Sequence, residues 1–144
     1  MAKSVRVDID CDAGKAMARL NAMMARSQNF TTVFNEARRM LERANDANFT
    51  TGGLPVGTWK PRKGAYAWPL MIRTGRLFNS LANMRGAPNM ITPMEAHFGT
   101  NVEYAKFHQY GTTKMPKRKI VFDPPGFSRE IGEKAASFVI RGRM

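Results

Sequence analysis

The feature that most constrains the fold is a run of glycines and prolines between residues 48 and 69. Because proline removes a backbone donor and glycine favours turns, no long helix or strand can cross this segment. Connections of this length inside a compact domain are uncommon and are either functional or disordered. The sequence therefore predicts a long loop at about residues 50–69. Its interrupting residues are Gly52, Gly53, Pro55, Gly57, Pro61, Gly64 and Pro69.

Regular elements are predicted on both sides of this loop. Before it, alternation of Val5, Val7 and Ile9 indicates a short strand, and Asp12 can cap a helix over residues 13–27. Met17, Leu20 and Met24 recur in that helix at helical spacing. A second helix is predicted to be capped by Thr31 or Thr32, and its apolar stripe consists of Val33, Ala37, Met40, Leu41 and Ala44.

After the loop the pattern alternates between short helices and short strands. Helices are predicted from Thr74 to Asn83, from Tyr104 to Tyr110 with Gly111 closing it, and after a capping Ser128. Strands are predicted within residues 90–100 and at residues 119–122. The expected fold is a single α+β domain over residues 1–144. Its N-terminal helices and C-terminal helix would pack on a small, mostly antiparallel sheet.

Positive charge is concentrated in the centre of the chain. The formal charge at pH 7 is +12, and residues 51–90 contribute half of it with six basic residues and no acidic one. Such a segment could contact phosphates or an acidic protein, or could be a solvated face that confers only solubility.

The long loop also places aromatic residues among cations. Three aromatic residues, Trp59, Tyr66 and Trp68, lie on either side of three cations, Lys60, Arg62 and Lys63. These side chains could stack on bases and bind phosphate. Alternatively, the aromatic residues hold the loop on the core while the cations point outward, or the loop becomes ordered only against a neighbouring subunit.

No arrangement of residues predicts catalysis, a metal site or a cofactor. The single Cys11 excludes an intrachain disulfide, and glycine-rich phosphate signatures are absent. His97 and His108 are the only histidines, and we expect His108 to hydrogen-bond within the turn closed by Gly111 rather than to act as a base. No apolar run approaches the roughly 20 residues that cross a bilayer, and the N-terminus lacks a signal-peptide pattern, so synthesis in a cytoplasm is expected.

A series of short motifs in fixed order resembles one known family. The series is Gly57-Thr-Trp59, Arg73-Thr-Gly-Arg-Leu77, Phe98-Gly-Thr100, Tyr104-Ala105, His108-Gln-Tyr-Gly111 and Met115-Pro-Lys-Arg118. It is similar to the virion morphogenesis family of tailed bacteriophages over roughly residues 50–122. Members usually continue after the arginine with Pro-Phe-Leu, whereas this chain has Lys119-Ile-Val121 and so keeps strand character but not that sequence.

The resemblance implies a structural protein without enzymatic activity or cofactor. It would form a ring, with a hexamer expected, at the head–tail junction of the virion after synthesis in the host bacterium. There it would complete or terminate the tail and join it to the capsid, contacting neck, portal-side and tail tube proteins. The expected interface residues are Trp59, Trp68, Arg73, Arg76, His108, Gln109, Tyr110 and Arg118.

The basic residues of the loop leave two further possibilities open. Lys60, Arg62 and Lys63 could contact an acidic partner or the genomic DNA that passes through the ring. A sequence-independent nucleic-acid-binding protein is the alternative function. Membrane contact is not expected.

Overall fold

The computed structural model describes residues 12–84 and 88–144, and its first element is a helix with the predicted bounds. This helix, α1, spans Ala13–Ser27, and the Asp12 carboxylate caps it by accepting a hydrogen bond from the backbone N–H of Lys15 at 3.1 Å. The strand predicted around Val5 to Ile9, together with Cys11, lies outside the described residues.

The second helix, α2, spans Thr31–Thr50 and ends where the long loop begins. Its start agrees with the prediction, but no threonine side chain caps it. The Asn29 carboxamide oxygen accepts the hydrogen bond from the Thr31 N–H at 3.0 Å, because asparagine reaches the free amides of a first turn as well as threonine does. Val33 and Ala37 of the predicted stripe are buried, and Met40 and Leu41 are half-buried.

The predicted loop is confirmed between α2 and the next α-helix. Its regular structure is one short 3-10 helix at Leu54–Val56, and the next α-helix, α3, spans Arg76–Ala82. α3 begins two residues later than predicted because Gly75 adopts a left-handed conformation (φ +72°), which is outside the helical region.

The sheet is smaller than predicted. Strands β1 (Met90–Ile91) and β2 (Ala96–His97) pair antiparallel as a hairpin, with Met90 opposite His97. The turn between them holds a hydrogen bond from the Thr92 N–H to the Glu95 carbonyl at 2.8 Å, which divides the predicted strand in two. A small antiparallel sheet among helices confirms the α+β class.

Two helices complete the described fold. Helix α4 spans Ala105–Tyr110 and ends at Gly111, as predicted. Helix α5 spans Phe127–Arg141 and begins after Gly126, one residue before the predicted cap Ser128. α5 packs against α1 and α2, and the Arg26 guanidinium ties α1 to it by donating to the Val139 carbonyl at 3.0 Å.

The core joins the end of α2, the loop, α3 and the segments around α4. Its buried apolar side chains come from five separate regions of the chain, so the long loop is part of the core and not an appendage. They are Phe49, Trp59, Leu77, Leu81, Val102, Ala105 and Ile120.

The apolar stripe of α1 is not covered by the described residues. Met17, Leu20 and Met24 have 57%, 52% and 63% of their surfaces exposed, and α1 contains no buried residue. Their spacing identified the helix correctly, but periodicity does not tell whether a stripe faces its own core or another molecule.

We expect Gly53→Ala to destabilise the fold much more than Gly52→Ala. Both glycines have positive φ, so alanine is strained at either position, but a Cβ at Gly53 would lie 2.3 Å from the Trp59 ring whereas one at Gly52 meets nothing within 4 Å. Urea denaturation should show an additional loss of about 2 kcal/mol or more for Gly53→Ala. Equal losses in the two variants would show that the ring does not pack on Gly53.

Candidate functional site: an arginine-lined cleft

Trp59 is a core residue that holds the loop in place. Only 4% of its surface is exposed, and its ring meets Phe49 edge to face at a centroid distance of 5.5 Å. The indole Nε1 donates to the Lys119 carbonyl at 3.1 Å, and the Asn48 Nδ2 donates to the same oxygen at 3.1 Å. For Trp59, the interpretation in which an aromatic side chain holds the loop on the core is therefore the one that fits.

Gln109 provides the hydrogen bonds that a neighbouring strand would otherwise provide. Its Oε1 accepts from the Ile120 and Val121 N–H groups at 2.8 and 2.9 Å, and its Nε2 donates to the Val121 carbonyl at 2.8 Å. The prediction of a strand at residues 119–122 is wrong, because a side-chain carboxamide occupies that hydrogen-bonding edge and no strand pairs there among the described residues.

Arg118 fastens the loop to the segment after α4. Its Nε and one terminal nitrogen donate to the Lys60 carbonyl at 3.0 and 2.9 Å, and its backbone N–H donates to the His108 carbonyl at 2.8 Å. The chain can turn back this closely because Gly111 has no side chain: a Cβ there would lie 2.9 Å from the Lys117 nitrogen.

A cleft of about 490 Å³ lies between the loop, the start of α3 and α4. We call it the arginine cleft. It brings together side chains from two regions of the sequence, residues 62–77 and 104–118, which the sequence alone does not place in one site. The predicted site residues that line it are Arg62, Trp68, Arg73, Arg76, His108 and Arg118.

One wall of the arginine cleft is a stack of rings and guanidiniums. The Tyr66 and Trp68 rings lie 4.9 Å apart, the Arg62 guanidinium carbon is 5.0 Å from the Tyr66 centroid, and that of Arg73 is 5.5 Å from the Trp68 centroid. Arg62 also donates to the Tyr66 carbonyl at 3.2 Å and to the Trp68 carbonyl. These contacts hold the loop's cations over its aromatic residues.

Of the two tyrosines that line the cleft, Tyr66 was predicted as a loop aromatic residue that could stack on bases, and Tyr104 was not predicted as a site residue. Tyr104 lines the cleft from the residue before α4 and meets the His108 ring edge to face at 6.0 Å. The motif containing Tyr104 gave no sign that it faces the loop.

The prediction that the His108 side chain hydrogen-bonds within the turn closed by Gly111 is wrong. The backbone carbonyl of His108 accepts the bond from Arg118, whereas the buried Nδ1 of its side chain has no hydrogen-bond partner among the described residues. Burial lowers the pKa of the imidazole, and the positive charge of Arg118 lowers that pKa further. The ring is therefore kept neutral beside the arginines.

The remaining predicted residues lie outside the cleft. Tyr110 is 77% exposed at the end of α4, and Lys60 and Lys63 are exposed on the loop. Within residues 12–84 and 88–144, no group of three or more His, Cys, Asp or Glu side chains could hold a metal ion, and every helix is too short or too polar to cross a bilayer.

Comparison with protein families gives a match over most of the chain. The profile of the phage virion morphogenesis family matches residues 12–137. The chain belongs to this family. The resemblance inferred from the ordered motifs is thus confirmed, and this phage virion morphogenesis protein has a structural or morphogenetic role in a phage particle. Searches of curated proteins and of solved structures each returned no significant match.

Removing the Gln109 carboxamide should weaken the fold of this phage virion morphogenesis protein. Gln109→Ala leaves the buried Ile120 N–H without a partner, so we expect the free energy of unfolding to fall by about 1–3 kcal/mol in urea denaturation. Gln28→Ala, which truncates an exposed glutamine, should change it by less than about 0.5 kcal/mol. A Gln109→Ala variant as stable as Gln28→Ala would contradict the assigned hydrogen bonds.

The lowered pKa of His108 predicts a loss of stability in acid. Below about pH 6.5 the unfolded chain binds a proton at this position before the folded chain does, so stability declines as the pH falls towards the lowered value. Above that pH the imidazole is neutral in both states and contributes no pH dependence. Denaturation at pH 7.5 and 5.0 should show a smaller decline for His108→Asn than for the wild type. His97→Asn, which alters an exposed histidine, should retain the decline.

Proposed function

We propose that the protein is a subunit of a ring at the head–tail junction of a tailed phage, where it completes or terminates the tail and joins it to the capsid. Family membership supports a part of the virion, and the observation that carries the proposal of a ring is the apolar stripe of α1, which the described residues leave exposed. We take a hexamer as the working stoichiometry, with neck, portal-side and tail tube proteins as neighbours.

The α1 stripe has the character of a surface that is buried on assembly. Met17, Leu20 and Met24 form one row on a helix that is otherwise largely exposed. Association removes such apolar surface from water, at roughly 25 cal/mol for each Å² buried. Methionine suits such a contact because its flexible side chain adapts to the partner's shape.

A second apolar surface lies elsewhere on the subunit. Phe107 and Tyr110 of α4 are exposed, as is Val121 in the segment bound by Gln109. α4 belongs to the part of the molecule around the arginine cleft, whereas α1 packs on α5. The subunit therefore offers two different apolar surfaces on different elements.

Two unlike surfaces favour head-to-tail association over a symmetric dimer. When one surface of each subunit binds the other surface of the next, the assembly closes into a ring if the rotation between subunits permits. We propose that the α1 stripe binds the α4 surface of the adjacent subunit. Apolar burial would supply most of the binding free energy, and the charges would select the neighbouring ring.

The predicted interface residues take two different parts in this proposal. Trp59, Gln109 and Arg118 bind within their own subunit and act indirectly, by fixing the segment that carries Val121. Tyr110 is the exposed member and would contact the adjacent subunit directly.

The proposal predicts that charges placed on either surface stop the joining of heads and tails. In a phage that lacks the gene and is complemented from a plasmid, Leu20→Glu or Tyr110→Glu should leave heads and tails separate in electron micrographs and reduce infective titre by orders of magnitude. Both side chains are mostly exposed, so the variants should fold normally. Asn21→Glu and Thr113→Glu introduce the same charge at exposed neighbouring positions and should leave joining intact.

A mixing experiment tests the head-to-tail arrangement itself. Neither Leu20→Glu nor Tyr110→Glu should form oligomers alone, but each retains the surface that the other has lost. Native mass spectrometry of the mixture should therefore detect a dimer containing one copy of each variant and no ring. Homodimers of either variant, or normal particle joining by both, would overturn the proposed ring interface.

A further inference from the structure

We propose that the arginine cleft binds an acidic segment of a neighbouring virion protein, with its carboxylates on the arginines and an apolar side chain against the cleft's carbon surface. This inference rests on the proposed function, because it names the chemistry by which an assembly subunit recognises a different protein. It concerns a separate surface from the α1 stripe and the α4 surface.

Arg118 shows that the cleft is electrostatically incomplete in the isolated subunit. Its side chain is only 6% exposed, yet its guanidinium contacts a neutral carbonyl, that of Lys60, and no carboxylate among the described residues. A buried charge without a counter-ion is unfavourable. Burial lowers the pKa of Arg118, and the nearby positive charge of Arg62 lowers it further. The negative charge of a bound anion would stabilise the protonated guanidinium and so offset both effects.

The whole cleft shares this imbalance. Among the described residues, four arginines line it and no aspartate or glutamate does. The ion pairs found within residues 12–84 and 88–144 use other cations, and none includes a cleft arginine. Arginine binds carboxylates through two parallel hydrogen bonds, so carboxylates are complementary to this lining. The four are Arg62, Arg73, Arg76 and Arg118.

The shape and surface of the cleft favour a protein segment over nucleic acid. Leu70, Met71 and Leu77 give it a carbon lining, and a volume of about 490 Å³ suits a few side chains. A rigid DNA duplex presents its phosphates on the outside of a wide rod and cannot place them beside the buried Arg118. A single strand binds by stacking bases on free aromatic faces, but the Trp68 ring is already in contact with Tyr66 and Arg73.

His108 adds a neutral hydrogen-bonding group to this lining. Its buried Nδ1 has no partner in the described part of the chain and the ring lines the cleft. Because Nδ1 itself is buried, Nε2 is the ring nitrogen that could donate to an acidic side chain or to a peptide carbonyl, in the tautomer that carries the proton there. It therefore suits a peptide, which offers both kinds of acceptor.

Binding to the full-length purified protein tests the proposal with defined probes. The first probe is a fluorescein-labelled nonapeptide with three glutamates around a central phenylalanine, and its control has glutamine at the three positions. A 20-nucleotide single strand and a 20-base-pair duplex are measured in the same buffer. Fluorescence anisotropy should show the glutamate peptide binding at least about tenfold more tightly than the glutamine peptide. The same binding should change the Trp68 emission, a signal that Trp68→Phe removes.

Charge-matched variants locate the binding. Arg73→Gln with Arg76→Gln removes two exposed cleft arginines whose guanidiniums make no hydrogen bond or ion pair with the described residues, and should weaken binding of the glutamate peptide about tenfold or more. Arg43→Gln with Arg129→Gln removes the same charge from exposed positions on α2 and α5, and should change binding less than twofold.

Three results would overturn the proposal. The first is equal affinity for the glutamate and glutamine peptides, and the second is an equal loss of peptide affinity in the two double variants. The third is a nucleic acid that binds more tightly than the glutamate peptide and loses affinity only in the Arg73/Arg76 variant. The last would assign the cleft to nucleic acid. None of the three would contradict the proposed ring if Leu20→Glu still prevents head–tail joining. Conversely, the wild-type protein could bind the glutamate peptide while the Leu20→Glu variant still joins heads to tails normally. That result would contradict the proposed ring and support the proposed peptide site in the cleft.

Discussion

The carbonyl of Lys119 is the point on which the rest of the structure depends. It accepts hydrogen bonds from the Trp59 indole and the Asn48 carboxamide, which lie 60 and 71 residues earlier in the chain. These two bonds join the end of α2, the long loop and the segment after α4 at one oxygen inside the core. Since Asn48 and Trp59 are themselves buried, each donor depends on this oxygen for its hydrogen bond. The loop is ordered because it is bound here and at Lys60, although its sequence excludes a long helix or strand.

The hydrogen bonds on either side of Lys119 give this segment a defined course without a sheet. Arg118 binds the loop through the Lys60 carbonyl, and Gln109 binds the two residues that follow Lys119. A strand would obtain such bonds from a neighbouring backbone, whereas this segment obtains them from long side chains on α4 and the loop. The same arrangement leaves the outer side of Val121 exposed and places Arg118 against the cleft. The stability of the fold, the exposed surface at Val121 and the arginine cleft therefore all depend on this one set of hydrogen bonds.

The helices could be predicted from the sequence because their signals are local. Asp12 lies three residues from the amide that it caps, and the stripe of α2 repeats within one helix, so the bounds of α1 and the start of α2 were predicted correctly. The strand at residues 119–122 was wrong because its apolar pattern is the same whether its partner is a backbone or Gln109. The cleft could be predicted only as a list of residues. Nothing local shows that Tyr104 would face Trp68, or that His108 would lack a side-chain partner.

The motifs that identify the family describe mainly its packing. Trp59, Gln109, Gly111 and Arg118 come from three of those motifs, and each supports the segment around Lys119 from inside the subunit. Residues that maintain a shared fold are constrained by their own neighbours and not by the partner that a particular virion provides. We propose that recognition of a neighbouring protein depends on the exposed stripe of α1, which lies outside the motifs, and on the cleft arginines, of which Arg73, Arg76 and Arg118 belong to motifs and Arg62 does not. Family membership thus identifies the scaffold, and we propose that this scaffold meets its neighbours at the arginine cleft and at the apolar surface that the described residues leave exposed.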